Sequence, residues 1–131
     1  MMTKKINRKE FLRNLEVQYP DTFNLYKSQV DSLEDEVFDY NATGIFGERL
    51  REERRDQNLT YAALARELNL DRSHIYYLEA RNKKVDKSNK DKKYVRISAY
   101  RYYLLIISVV LDISPLYMIG LTDDRSYMGV T

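Results

Sequence analysis

The sequence predicts a mostly α-helical protein, and three features carry that reading. In residues 22–40, Phe23, Tyr26, Val30, Leu33, Val37 and Tyr40 recur at three- and four-residue steps, the repeat of one helix face. Residues 59–79, LTYAALARELNLDRSHIYYLE, divide into two short amphipathic helices around a turn of about three residues. Residues 99–111, AYRYYLLIISVVL, are apolar nearly all round, as in a helix covered on more than one side.

In chain order, residues 6–18 read as a helix with Asn7 as its cap and Phe11, Leu12, Leu15 and Val17 near one face. Tyr19-Pro20 ends it, because the residue before a proline is pushed out of the helical region. A second helix starts at Asp21 or Thr22 and runs to about Tyr40, giving an antiparallel hairpin. That hairpin must bury its apolar stripe on its own domain or on a second copy. Asp31, Glu34, Asp35, Glu36 and Asp39 lie opposite the stripe; with no histidine nearby, a solvated face is favoured over a metal site. Residues 41–44 signal a turn. Residues 45–57 form the next helix, with Ile45, Phe46 and Leu50 apolar and Asn58 closing it.

Within residues 59–79, Leu59, Ala63, Leu64, Leu68 and Leu70 make one apolar set, Ile75 and Leu78 the other. Thr60 and Asp71 supply side-chain oxygens for the orphan N–H groups at the two helix starts. Small Ala62, Ala63 and Ala65 permit a close helix crossing. Asn69 stands at the turn, where asparagine tolerates the left-handed conformation. Two helices joined by a tight turn, with polar residues outward on the second, match a helix-turn-helix reader of duplex DNA. After it, KKVDKSNKDKKYVRIS places Val85, Tyr94, Val95 and Ile97 around a polar tip, which reads as a lysine-rich β-hairpin or a disordered loop. Ser98 is a candidate cap for the apolar helix that follows. Ser114-Pro115 starts a last short helix ended by Gly120, and residues 122–131 read as a loose tail.

Composition narrows the function classes. The chain has 131 residues, 44% hydrophobic and 32% charged, as for an ordinary globular protein. It has no cysteine, so disulfide and thiolate chemistry are excluded. The start, MMTKKINRKEFLRNL, has no apolar core after its lysines, so no leader is expected. The most apolar run, residues 104–111, is far below the roughly 18 residues that span a bilayer. Net charge is only +2, so its distribution is the better guide. Residues 1–46 carry six basic and eight acidic side chains, residues 71–97 nine basic and four acidic.

The pattern Leu59-Thr60, Leu64-Ala65, Leu68, Leu70, Arg72-Ser73, Ile75 and Leu78-Glu79, followed by ISPLYMIG at 113–120, resembles the Cro/cI-like (XRE) helix-turn-helix repressors. The resemblance covers about residues 45–121. It implies a five-helix domain, with residues 1–44 as an N-terminal helical hairpin and residues 82–97 as an insertion between the reading helix and the fourth family helix. It also implies a buried ion pair between Arg54 and Glu79. Arg72, Ser73 and Tyr77 fall on the family's base-contacting positions, with His74 and Tyr76 beside them. Arginine is the side chain best shaped for a guanine edge. Thr60 and Tyr61, at a helix start, are expected at phosphate. Tyr61 stands where the family usually has glutamine. Arg81, Asn82, Lys83 and Lys84 match the region that grips the backbone, and Lys87, Lys90, Lys92 and Lys93 would extend it.

The partner expected is therefore double-stranded DNA, bound by a homodimer on a two-fold-related site. The resemblance implies a cytoplasmic, bacterial or phage-encoded repressor of a phage, plasmid or mobile-element promoter; a plasmid-transfer accessory or antitoxin role fits the same residues. No cofactor, metal, membrane or small-molecule substrate is expected. His74 beside Ser73 is not a catalytic pair, since adjacent helical residues do not face each other. With no phosphate loop or zinc motif either, no enzyme is expected. Two readings from other classes remain: a protein-interaction module that keeps the fold without binding DNA, and an RNA binder using the lysine-rich segment.

Overall fold

A computed structural model describes residues 5–33, 40–80 and 100–128. The described chain is mostly helical, with helices α1 (Arg8–Gln18), α2 (Pro20–Asp31), α3 (Tyr40–Asp56), α4 (Tyr61–Glu67), α5 (Arg72–Ala80), α6 (Arg101–Leu111) and α7 (Pro115–Met118). None of these helices is long and apolar enough to cross a membrane.

The expected caps form at several ends. Asn7 accepts from the Glu10 N–H at 2.9 Å, and Ser114 accepts from Leu116 N–H ahead of Pro115. Asn58 and Asn69 both take left-handed backbone, φ 55°, at the ends of α3 and α4. Around each, two backbone hydrogen bonds fold the next residue back over the last turn: Leu59 N–H to Arg54 and Asn58 N–H to Arg55, then Leu70 N–H to Ala65 and Asn69 N–H to Arg66. This is the Schellman closure, with asparagine in place of the usual glycine.

Several boundaries differ from expectation. Proline occupies the first turn of α2, where its missing N–H would have had no partner anyway, so the helix begins at Pro20 instead of Asp21 or Thr22. It ends at Asp31, not Tyr40. There Arg101 donates to the Val30 and Leu33 carbonyls, both at 2.6 Å, and Val30 also accepts from the Leu33 N–H. Residues 34–39, which hold most of the acidic run, lie outside the described residues, as does the Ser98 cap site. The turn expected at 41–44 is the first part of α3. A glycine inside a helix costs about 1 kcal/mol relative to alanine. Fully buried Phe46 and Leu50 outweigh it by anchoring the helix.

The boundary expected at 44/45 thus falls inside a helix, and the N-terminal hairpin shares one core with the rest. Leu15, Phe23, Tyr26 and Val30 belong to the same buried cluster as Phe46, Leu64, Ile75, Leu104 and Ile107. α2 lies along α6, which explains why α6 is apolar on every side. Tyr100 is buried, its ring edge-to-face on Phe46 at 5.9 Å. Residues 122–127, expected as part of a loose tail, are fastened to the fold. Arg125 makes a bidentate pair with Glu53 at 3.0 and 2.7 Å. Its carbonyl accepts from Ser114 N–H, and the Tyr127 carbonyl accepts from Gln29. Arg49 donates to the Tyr117 and Thr122 carbonyls beneath it.

α3 crosses α5 at Gly47. A Cβ there would stand 2.8 Å from both the Leu78 and Glu79 carbonyl oxygens. Glycine to alanine inside a helix normally stabilises by up to about 1 kcal/mol. Here the obstacle is backbone, which has no rotamer to move aside. Gly47→Ala is therefore expected to destabilise the fold by about 1–3 kcal/mol in urea unfolding; a neutral or stabilising result would show that α3 and α5 are not in contact there.

Candidate nucleic-acid interface

The α4–turn–α5 unit is assembled from the buried side outward. Leu64 and Ala65 of α4, Leu68 that caps it, and Ile75 and Leu78 of α5 are buried together. α4 and α5 pack on each other, and α3 packs on α5. Thr60 Oγ1 accepts from Ala63 N–H at 3.1 Å and starts α4 as expected.

The ion pair implied between Arg54 and Glu79 is present. Arg54 Nε and Nη2 lie 2.7 and 3.2 Å from the two Glu79 oxygens, and Nη1 donates to the Leu59 carbonyl at 3.0 Å. Both side chains are buried. The hydrogen bond to Glu79 raises the Arg54 pKa above the usual guanidinium range, against the opposing effect of burial. One contact thereby joins α3, the α3–α4 turn and α5.

On the outer side of α5, Arg72, Ser73, Tyr76 and Tyr77 are exposed, the two tyrosines at 54% and 55%. Helical spacing puts Arg72 with Tyr76 and Ser73 with Tyr77 on two adjacent ridges. These four sequence-predicted residues therefore share one face. His74 does not join them. It is half-buried, with Nε2 2.8 Å from the Tyr103 hydroxyl, and Arg8 donates to that same hydroxyl at 3.1 Å. The ring is turned toward α1 and α6, because residue 74 lies next to the buried Ile75 side of the helix. Tyr61, expected at phosphate, also makes contacts within the fold. It is half-buried, with the Arg54 guanidinium 4.2 Å from its ring centre and the Tyr76 ring edge-to-face at 6.0 Å. Arg81, Asn82, Lys83, Lys84, Lys87, Lys90, Lys92 and Lys93 lie outside the described residues.

Sequence reasoning missed one tie at this site. The Asn69 side-chain amide pairs with the Ile6 backbone, accepting from its N–H at 3.1 Å and donating to its carbonyl at 2.8 Å. Lys5 pairs with Asp71 just before α5 and lowers the Asp71 pKa. Lys5 and Ile6 are thus fastened to the turn, and Arg72 stays exposed. No local sequence signal marks a contact between residues so far apart. Among the described residues, no group of three or more His, Cys, Asp and Glu is placed to hold a metal ion. Comparison with known proteins finds no matching family model, no matching curated protein and no matching solved structure.

Removing one partner of a buried ion pair leaves the other charge uncompensated. Arg54→Ala is expected to lose about 3–5 kcal/mol of unfolding free energy. A double replacement, Arg54→Met with Glu79→Leu, should recover most of it. If Arg54→Ala unfolded at the wild-type denaturant midpoint, the pair would not be holding α5.

Proposed function

We propose that this protein binds double-stranded DNA sequence-specifically and acts as a transcriptional regulator, with α3 to α7 forming a Cro/cI-like helix-turn-helix domain. The observation that carries the reading is the outer face of α5. Arg72, Ser73, Tyr76 and Tyr77 stand together and exposed on a short helix whose opposite side is locked into the core. An α-helix fits the major groove, and the edges of the base pairs there offer acceptors, donors and methyl groups. Arg72 matches a guanine edge and Ser73 either donor or acceptor. The lysines from Lys83 to Lys93 follow α5 directly in sequence and provide charge for the phosphates.

Two copies bind a two-fold-related site, as the resemblance implies, in the setting of a cytoplasmic repressor of a phage, plasmid or mobile-element promoter. The apolar surface of α6 is covered by α2 and the rest of the core, which argues against it as the dimer interface. The outer side of the N-terminal hairpin stays a candidate.

Selection of bound duplexes from a random pool tests this reading. It should enrich a two-fold-symmetric sequence with half-sites about one helical turn apart, and binding should fall steeply with added salt. Arg72→Ala should relax preference at one position per half-site, by about 1–3 kcal/mol, without unfolding the chain. Replacing Lys83, Lys84, Lys87, Lys90, Lys92 and Lys93 together should weaken all duplexes alike. If no duplex is retained even at low salt, the ridge serves protein contact instead.

A further inference from the structure

We propose that Tyr76 reads the 5-methyl group of a thymine and that Tyr61 is the residue that positions it. The inference rests on the DNA-binding reading above and assigns part of its specificity.

Tyr76 is a large ring kept more than half exposed on the reading helix. It is supported from behind. Its ring meets the Tyr61 ring edge-to-face, with centres 6.0 Å apart and planes at 82°, a favoured aromatic arrangement. Tyr61 is supported in turn by the Arg54 guanidinium, 4.2 Å from its ring centre. Arg54 is itself fixed by two hydrogen bonds to Glu79 and one to the Leu59 carbonyl. A continuous series of contacts therefore runs from a buried ion pair to a ring on the surface. A side chain already fixed loses little freedom on binding, so a weak apolar contact can still discriminate.

Just over half of Tyr76 is exposed, and most of a tyrosine side chain is apolar ring. In the major groove the apolar feature is the thymine methyl. Tyr76 lies four residues along the same ridge from Arg72, a rise of about 6 Å. With about 3.4 Å per base pair, the thymine should fall within about two base pairs of the position Arg72 reads. A tyrosine acting through its hydroxyl on a phosphate would not need a fixed ring face, and that alternative makes a different prediction.

The experiment uses the full chain and the duplex enriched from a random pool. Each thymine is replaced singly by uracil, which removes only the methyl group. One position per half-site should lose about fourfold in affinity, the effect of one buried carbon. Tyr76→Phe should keep that uracil penalty, Tyr76→Ala should abolish it, and Tyr61→Ala should shrink it. The penalty is a ratio between two duplexes for one variant, so a variant that merely destabilised the fold would weaken both and leave the ratio unchanged. A duplex bound with no uracil-sensitive position, or a penalty lost in Tyr76→Phe, would overturn the assignment while leaving DNA binding intact. An absence of any enriched duplex would overturn both.

Discussion

The bidentate contact between Arg54 and Glu79 is the constraint on which the rest of the structure depends. It is buried, so neither charge has water to fall back on, and each requires the other. It also ties the middle of the fold together, because Arg54 holds the Leu59 carbonyl that precedes α4 while Glu79 sits in the last turn of α5. Gly47 allows the same two helices to touch through backbone. Between them, a charge pair and a missing side chain set where α5 lies against α3. With the inner side of α5 so placed, Arg72, Ser73, Tyr76 and Tyr77 are left outward.

The remainder of the chain supports that arrangement by covering α6. An apolar helix of that kind cannot face water, and α2 supplies the cover. This makes the N-terminal hairpin part of one core. Three polar contacts then close the assembly: Arg101 on the end of α2, Arg125 on Glu53, and the Asn69 amide on Ile6. The first and third satisfy backbone groups at the edges of helices, and the second fastens the segment after Gly120 to α3 by a charge pair.

Much of this was legible from local sequence. The mostly helical class, the caps at Asn7, Thr60 and Ser114, and the left-handed Asn69 follow from residue type and spacing. The core of α4 and α5 follows from the positions of Leu64, Leu68, Ile75 and Leu78. The ion pair was implied by resemblance, since Arg54 and Glu79 are 25 positions apart and nothing local links them. What failed to show depends on long-range contact. The end of α2 is set by Arg101, not by the apolar repeat, which continues past it. His74 is half-buried because Tyr103 lies beside it, a neighbour 29 residues away. Tyr61 faces Tyr76 and Arg54 for the same kind of reason. The fastened C-terminal segment did carry a faint local signal. Thr122 and Asp124 accept from the N–H groups of Asp124 and Ser126, turns that such residues favour.

The central claim is that the outer face of α5 is the surface that meets a duplex. Amide chemical-shift mapping, with isotope-labelled protein and a duplex from the random-pool selection, tests it most directly. The account predicts that the largest shifts fall on Arg72, Ser73, Tyr76 and Tyr77, with α2 and α7 nearly silent. Shifts concentrated on α2, α7 or the segment after Gly120, with α5 unmoved, would contradict it.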